Sequence, residues 1–378
     1  MSPKKTVEVV RKKKADASSK KTLTAINDSA TDIFKKIMKK KSPEMTFPIR
    51  ALNNVKYDPK KGFFELIGKI KTRALNVNTV KAFAQTLRMM GFSKELLEAN
   101  DIATKREAYY VSKNWGDARF KEQPESDTVM DDVEAMFRIN REQLGFIPEE
   151  KGGAVAGQLV VVDKDPTTGR DLKIDCTKFG SGAYSVPTSV EHLKFETKAK
   201  FILAIETAGM FERLNKHGYW KSANCILISM GGVPTRACRR FIRRLSDDKN
   251  LPVYAFCDGD MYAFFNIYRT LKVGSGNAAH LNEFFCVPRA RFIGITPQDI
   301  VDYKLPTHPL KDVDIKRAKD ALKNDPFVQQ HKEWQKAIQQ QVKSGQRAEQ
   351  QALAKWGLNY VLDKYLPQKL KNNKTWLP

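Results

Sequence analysis

The chain has 378 residues, more than one compact core normally holds, so at least two domains are expected. Lys and Arg total 66 against 43 Asp and Glu, and the net charge of +23 favours a polyanionic partner such as nucleic acid. A hydrophobic content of 41% excludes a wholly disordered basic protein. No apolar run approaches the roughly 18 residues of a spanning helix, which excludes an integral membrane protein.

Residues 1–45 form a basic N-terminal tail, with 13 Lys or Arg and 5 Asp or Glu. From this composition we expect disorder at least through Lys21, and residues 27–41 could form a short basic helix. A solubilising or loosely DNA-attracted role is favoured over a specific one. No apolar stretch follows the charged start, so no secretory signal is expected.

The five cysteines are dispersed, with no C-x-x-C pair and no His at zinc spacing. This pattern predicts reduced core thiols and argues against structural zinc. We therefore expect a cytoplasmic protein, which its basic charge would keep associated with the nucleoid.

The helical part of the chain begins near residue 78. Apolar spacing predicts one helix from Val80 to Gly91 and a short second helix over 93–99. Thr104 begins a third helix, with Glu107 completing a capping box. A fourth helix is predicted over 130–143.

A β-hairpin is predicted after these helices, from the alternating runs 158–163 and 171–175. Short helices followed by a hairpin resemble a winged-helix, CAP-like domain, here over residues 77–165. An N-terminal extension over 46–76 precedes it. The pattern alone is weak, because helices and a hairpin have many other uses.

The second half alternates apolar strands with helices. Strands are predicted at 201–206, 225–229, 253–258 and 291–295, followed by helices at 208–216, 234–245 and 262–271 and a short helical turn at 297. Such repetition implies a parallel sheet covered on both faces. We therefore predict an α/β multidomain protein, whose second domain over 190–378 is Rossmann-like with a helical C-terminal region.

Acidic residues follow two of these strands. Glu206 ends the first strand, and Asp258 and Asp260 end the third. Ligands of open α/β sheets gather at the carboxyl ends of the strands, so these oxygens could hold Mg²⁺. Each acid could instead cap the helix that follows it.

The segment TKREAYY (104–110) places Arg106 and Tyr110 on one helix face, with Tyr109 about 100° away. A neighbouring guanidinium favours the phenolate and can grip a phosphate oxygen. Taken alone, these residues more often describe a core Tyr with an Arg extended beside it.

A basic stripe is predicted in GGVPTRACRRFIRRL (231–245), a segment without acids. It consists of Arg236, Arg240, Arg243 and Arg244. Phosphate contact and a solvated helix face are equally favoured interpretations.

Together, these motifs resemble the type IIB DNA topoisomerase family, namely the A subunits of DNA topoisomerase VI and the meiotic double-strand-break transesterases. The resemblance runs from about residue 47 to the C-terminus. It is carried by KREAYY (105–110), AIETAGMFERL (204–214), GGVPTRACRRF (231–241), CDGD (257–260), IYRTLKVGS (267–275), AEQQAL (348–353) and YLPQKL (365–370). The family pattern D-x-D-P-[YW]-G departs here to Asp258-Gly259-Asp260-Met261-Tyr262-Ala263.

The resemblance implies a Toprim fold for the second domain, Tyr110 as nucleophile, Arg106 as its partner, and Glu206, Asp258 and Asp260 as Mg²⁺ ligands. It further implies a 5′-phosphotyrosyl ester with DNA and a homodimer that pairs each tyrosine with the other protomer's acids. The segment GFFELIGK (62–69) resembles a P-loop but does not match its spacing, and no ATP-binding motif is present in the sequence. ATP would therefore be bound by a GHKL-type ATPase B subunit in a heterotetramer, which we expect to dock near the N-terminal segment and first helical domain.

Three alternatives remain at this point. A meiotic-type enzyme would break DNA by the same chemistry without resealing it. A non-catalytic DNA-binding protein would need only the basic charge and a winged helix. A Toprim metallonuclease would use water in place of tyrosine, so its cleavage would survive Tyr110→Phe.

Overall fold

The computed structural model describes residues 17–147, 152–165 and 167–378. They form two compact units. Unit 1 contains the described residues of 17–49 and 68–147, and unit 2 contains those of 50–67 and 152–378. Within the described ranges, no helix is both long and apolar enough to cross a bilayer. All five cysteines are buried and unbridged.

The α-helices, in chain order, are α1 (Ala17–Met38), α2 (Val80–Ala99), α3 (Lys105–Val111), α4 (Gln123–Phe137), α5 (Ala208–Lys216), α6 (Tyr219–Ser222), α7 (Arg236–Lys249), α8 (Arg269–Lys272), α9 (Asn282–Phe285), α10 (Pro297–Asp302), α11 (Asp312–Asn324), α12 (Pro326–Gln330), α13 (Lys332–Ser344) and α14 (Leu366–Lys371). The strands are β1 (Glu44–Pro48), β2 (Val55–Asp58), β3 (Phe63–Leu66), β4 (Ile70–Ala74), β5 (Ala103–Thr104), β6 (Phe146–Ile147), β7 (Ala154–Gly157), β8 (Val160–Lys164), β9 (Asp171–Asp175), β10 (Tyr184–Ser185), β11 (Lys194–Glu196), β12 (Phe201–Ile205), β13 (Cys225–Ser229), β14 (Val253–Phe256), β15 (Ala290–Gly294), β16 (His308–Pro309) and β17 (Gln346–Arg347).

Unit 1 is built on α2, which packs against α1 and α4. The prediction of two helices separated at Gly91 is wrong, because α2 continues through that glycine to a left-handed cap at Asn100. A glycine costs a helix interior only about 1 kcal/mol, and the buried Met89 and Met90 on one side and Leu96 on the other more than offset it. The third helix begins after Thr104 with the predicted capping box.

Helix α1 begins at Ala17, so the disorder expected through Lys21 does not extend over residues 17–21. Residues 1–16 of the basic tail lie outside the described residues. Ile26 and Ile33, seven residues apart, are both buried, so one face of α1 packs into unit 1. The charge of this segment concealed that apolar face.

The predicted hairpin forms, but it belongs to unit 2, whereas the helices belong to unit 1. Strands β8 and β9 pair antiparallel and join β11 in a three-stranded sheet of unit 2. The predicted boundary at residue 165 therefore falls inside unit 2. The fourth helix also lies earlier than predicted, because Arg138 adopts a left-handed conformation that ends α4.

The parallel strands predicted for the second half are confirmed, within a mixed sheet in which β7 and β10 pair antiparallel. Its strand order is β10-β7-β13-β12-β14-β15, and β13, β12, β14 and β15 run parallel. Every residue of β12 and β13 is buried, because the core has one hydrophobic cluster on each face of the sheet. Strands β12 and β14 are neighbours, so their carboxyl ends lie side by side.

Lys272, in the IYRTLKVGS motif, is a buried amine whose Nζ donates to the carbonyl oxygens of Pro288 (2.7 Å) and Ala290 (2.8 Å). Burial, and then the charge of Arg291, lower its pKa from 10.5 to about 7. Between these values the unfolded chain binds one more proton at this site than the folded chain. The free energy of unfolding should therefore rise with pH across this window.

We expect Lys272→Met to remove roughly 1.4 kcal/mol per pH unit of that rise between about pH 7 and 10. Urea denaturation at several pH values measures the slope. The exposed Lys319→Met is the matched control and should keep the wild-type slope. Equal slopes in both variants would show that Lys272 stays charged in the folded chain.

Candidate active site

The carboxyl ends of β12 and β14 bring two of the predicted acids together. Glu206 follows β12, and its backbone N–H donates to the Phe256 carbonyl oxygen at the end of β14 (3.0 Å). The Asp258 N–H donates to Glu206 Oε2 (2.9 Å). The pairing of neighbouring parallel strands therefore places these carboxylates side by side, as the sequence predicts.

This edge of the sheet concentrates negative charge. Burial raises the pKa of Glu206 to about 8, and the neighbouring Asp258 contributes to that rise. Burial likewise raises the pKa of Asp258 to about 6, against the opposing effect of a hydrogen bond from the Gln350 N–H. The buried Glu206 and the partly buried Asp258 thus repel each other, and a cation between them would relieve that repulsion.

Asp260 has other partners. Its Oδ1 accepts from the Ala263 N–H (2.7 Å), and its Oδ2 lies 3.5 Å from Arg347 Nη1. Asp260 therefore caps the turn that follows it, which is the alternative considered for such acids. Met261 and Ala263, which replace Pro and Gly of the family pattern, are fully buried in that turn.

The donor set suits a hard divalent cation, because carboxylate oxygens are the ligands that Mg²⁺ prefers. Glu206 and Asp258 fit this chemistry directly, whereas Asp260 would have to exchange Arg347 for the ion. In the described part of the chain, no group of three or more His, Cys, Asp or Glu side chains stands at metal-binding spacing.

The sequence did not reveal that the AEQQAL motif lies at this site. Gln350 donates its backbone N–H to Asp258 Oδ1 (2.8 Å). The charge of the exposed Glu349 raises the pKa of both Glu206 and Asp258. The only available signal was the motif itself, since nothing in its residue types points to the carboxylates 90 or more positions away in the chain.

Helix α3, in unit 1, carries the predicted tyrosine. Tyr110 is 56% exposed, and its hydroxyl has no hydrogen bond to a described residue. Arg106, one turn earlier, is also exposed. The Tyr109 ring contacts the Tyr110 ring, with centroids 5.4 Å apart, but its hydroxyl donates to the Lys121 carbonyl oxygen (3.1 Å) and the Lys113 ammonium lies 4.0 Å from its ring centroid. The two tyrosines therefore have different surroundings, one available and one fixed.

The basic stripe of α7 is largely occupied by the protein itself. Arg240 pairs with Glu191 and donates to the Phe284 carbonyl oxygen (3.0 Å). Arg243 pairs with Asp247. These two guanidiniums are therefore engaged by acids that lie outside 231–245 in sequence, and phosphate contact at these positions stays a prediction.

Arg244 is engaged in the same way. Its guanidinium donates to the carbonyl oxygens of Val190 and Leu193 and lies 5.5 Å from the Phe195 ring centroid. Arg236, the remaining member of the stripe, lies over the Phe285 ring at 5.9 Å. The interactions of the stripe thus include aromatic stacking as well as ion pairs.

We expect Arg244→Ala to lower the free energy of unfolding by about 2 kcal/mol, since two charge-assisted hydrogen bonds to carbonyls are lost. Affinity for duplex DNA should change less than about twofold, because this guanidinium faces the protein. Urea denaturation and fluorescence anisotropy with a labelled duplex measure the two effects. If Arg244→Ala instead weakened DNA binding at unchanged stability, the result would indicate that the stripe contacts DNA.

Comparison with protein families assigns most of the chain. The model for the Toprim domain of Spo11 and the topoisomerase 6 A subunit matches residues 201–370. "All-beta domain in DNA topoisomerase VI alpha subunit" matches residues 149–199, which contain the separate three-stranded sheet. "Type IIB DNA topoisomerase" matches residues 81–146, which contain α3. The predicted Toprim assignment of the parallel sheet is thereby confirmed.

Several curated relatives, each named as the A subunit of type 2 DNA topoisomerase 6, extend over nearly the whole chain. The protein from Methanocaldococcus jannaschii is 56% identical over 93% of this chain and 95% of its own length. That from Methanothermobacter thermautotrophicus is 37% identical over 87% and 91%, and that from Pyrococcus abyssi is 36% identical over 96% and 97%. On this similarity and the Toprim sheet with its paired acids, the chain belongs to the family of type 2 DNA topoisomerase 6 A subunits.

Proposed function

We propose that the chain is the DNA-cleaving component of an ATP-dependent type IIB topoisomerase, with Tyr110 as the nucleophile. The observation that carries this proposal is the contrast on α3 between the fixed Tyr109 and the exposed Tyr110. A nucleophile must reach its substrate with a free hydroxyl, and Tyr110 meets that requirement. Family membership supports the same activity.

In the proposed reaction, the Tyr110 phenol oxygen attacks a backbone phosphorus and releases its proton. A 5′-phosphotyrosyl bond forms, the bond from phosphorus to the 3′-oxygen breaks, and that oxygen takes up a proton. Arg106 lies one turn from Tyr110 on the same face, where it would favour the phenolate and bind a phosphate oxygen. The ester is close in energy to the phosphodiester it replaces, so the break can reseal without nucleotide hydrolysis.

Glu206 and Asp258 would hold Mg²⁺, and Asp260 would join them on leaving Arg347. When bound, the ion would offset charge on the scissile phosphate and the departing oxygen. The repulsion between the buried Glu206 carboxyl and the partly buried Asp258 carboxyl supports this assignment. Without the ion, the backbone N–H groups of Asp258 and Gln350 orient the Glu206 and Asp258 side chains, respectively.

The assembly is also proposed. Tyr110 belongs to unit 1 and the acids to unit 2, and we propose a homodimer in which one protomer's tyrosine serves its partner's acids. The helices of unit 1 would keep the DNA-binding role predicted for the winged-helix domain, although the hairpin predicted as its wing belongs to unit 2.

An ATPase B subunit would dock on unit 1 near the end of α1. That end exposes an apolar surface, formed by Phe34 (61% exposed), Ile37 and Met38 (67%). Exposed apolar clusters of this kind are typical of protein interfaces.

Reconstitution with a GHKL-type B subunit on negatively supercoiled plasmid tests the proposal. Relaxation should require both ATP and Mg²⁺, and SDS added during the reaction should trap protein on DNA 5′ ends. Persistent double-strand breaks without resealing would instead indicate a break-forming transesterase. Cleavage with free 5′ phosphates would indicate a water-using metallonuclease.

A further inference from the structure

Gln350 forms hydrogen bonds with residues at the carboxyl ends of β12 and β14, beside Glu206 and Asp258. It begins the 3₁₀-helix Gln350–Trp356 and is fully buried. Its side-chain Nε2 donates to the Phe256 carbonyl oxygen (2.6 Å), and its Oε1 accepts from the Thr207 hydroxyl (2.9 Å). A buried amide with both ends satisfied is held in one orientation.

Each of these contacts adjoins a carboxylate. Thr207 directly follows Glu206, and Phe256 lies two residues before Asp258. The Gln350 backbone N–H bonds Asp258 Oδ1 itself (2.8 Å). One residue from the C-terminal region thus ties together the ends of β12 and β14.

The residues just before Gln350 also pair with the CDGD segment (257–260). Ala348 and Gly259 form an isolated antiparallel bridge, with the Gly259 N–H 2.8 Å from the Ala348 carbonyl oxygen. A Cβ on Gly259 would lie 2.9 Å from the Ile295 carbonyl oxygen. Only glycine at position 259, between Asp258 and Asp260, lets the backbone approach Ile295 this closely.

We propose that Gln350 is a positioning residue that fixes the separation of the Glu206 and Asp258 carboxylates for divalent-cation binding. The inference rests on the proposed function, because it takes these acids as the metal ligands. Residues that hydrogen-bond around a metal site orient its ligands, and their loss typically weakens metal affinity 10- to 100-fold. Gln350 contributes nothing to the ion directly and acts through the backbone and side chains on either side.

Gln350→Met tests the proposal, since it keeps the side-chain length and the backbone N–H but removes both amide hydrogen bonds. The probe is Mn²⁺, titrated into the full-length chain without DNA and followed by electron paramagnetic resonance. We expect the dissociation constant to rise about 10-fold or more. With the reconstituted holoenzyme, the Mg²⁺ concentration that half-saturates cleavage should rise in parallel, while cleavage at saturating Mg²⁺ falls only a few-fold.

Two controls separate positioning from general destabilisation. Ser246→Ala removes another buried hydrogen bond, from Oγ to the Leu251 carbonyl oxygen (2.6 Å), at the opposite, amino-terminal edge of the sheet. It should lower the melting temperature without changing Mn²⁺ affinity. Thr207→Ser keeps the hydroxyl and should behave as wild type. Thr207→Val removes both the bond to Gln350 and the cap of α5, and it should weaken Mn²⁺ binding even if Gln350→Met does not fold.

Glu206→Gln distinguishes a wrong assignment of the metal site from a wrong assignment of Gln350 as a positioning residue. If it weakens Mn²⁺ binding while Gln350→Met and Thr207→Val do not, Gln350 has no positioning role and the proposed metal site stands. If Glu206→Gln leaves Mn²⁺ affinity unchanged, the metal site is misassigned and the inference about Gln350 is overturned with it. Weakened binding in all three variants supports both.

Discussion

Tyr110→Phe should abolish the covalent protein–DNA adduct and reduce DNA cleavage by more than about 10³-fold, because no other atom of the side chain can attack phosphorus. Stability should be nearly unchanged, since the Tyr110 hydroxyl has no hydrogen bond to a described residue. SDS trapping on end-labelled DNA with the reconstituted holoenzyme measures adduct yield. Thermal unfolding checks the fold.

Tyr109→Phe is the matched control on the same helix. It removes the hydrogen bond to the Lys121 carbonyl oxygen but leaves the ring under the Lys113 ammonium. We expect a loss of about 1 kcal/mol in stability and adduct formation close to wild type. The reverse result, with adducts lost in Tyr109→Phe and kept in Tyr110→Phe, would exchange the two assignments.

The parallel sheet could be predicted closely because its signal is local. Strand β13 matches its predicted range, 225–229, and helix α5 matches 208–216. Fully buried strands are short continuous apolar runs, and Thr207 marks the start of α5 with a side-chain cap. The adjacency of Glu206 and Asp258 followed from the general rule that ligands gather at the carboxyl ends of such strands.

The errors arose where distant contacts decide the outcome. Strands β8 and β9 were predicted well as strands, but their third partner, β11, assigns them to unit 2. A hairpin alone carries no information about which core it joins. Similarly, α1 looked like a charged tail because the packing of Ile26 and Ile33 is visible only once α2 is in place.

The adjacency of Glu206 and Asp258 could be predicted, but the residues that surround them could not. Their role as metal ligands and that of Tyr110 as nucleophile stay predictions. Arginines on one helix face can serve DNA or the protein, and Arg240 found its carboxylate in Glu191, 49 residues earlier. Gln350 contacts Asp258 across 92 residues of sequence. Polar pairs at such separations leave no periodic signal, so only the fold reveals them.

The YLPQKL motif (365–370) contributes Lys369 to a buried ion pair. Lys369 Nζ lies 2.9 Å from Asp299 Oδ1, and both side chains are nearly inaccessible, at 2% and 4%. The Tyr365 hydroxyl, one helical turn earlier, also bonds Asp299 (2.9 Å). The motif therefore anchors the C-terminal helix α14 to α10, the helix that follows β15.

Lys369→Met should lower the free energy of unfolding by about 3–5 kcal/mol, because it leaves the Asp299 carboxylate buried without its cation. Urea denaturation followed by tryptophan fluorescence measures this loss, which mainly reports unit 2. The tryptophans of that unit are Trp220, Trp334, Trp356 and Trp376. Tyr365→Phe, which removes one hydrogen bond and no charge, should cost only about 1–2 kcal/mol.

The double variant Lys369→Met with Asp299→Asn should be more stable than Lys369→Met alone. Asparagine keeps an acceptor for the Thr296 N–H, which donates to Asp299 Oδ2 (2.8 Å), and removes the unpaired charge. A double-mutant cycle over the two positions isolates this coupling. Additive losses would mean that the two side chains are not coupled, so that the hydrogen bond from Tyr365 to Asp299, rather than the ion pair, holds α14 in place.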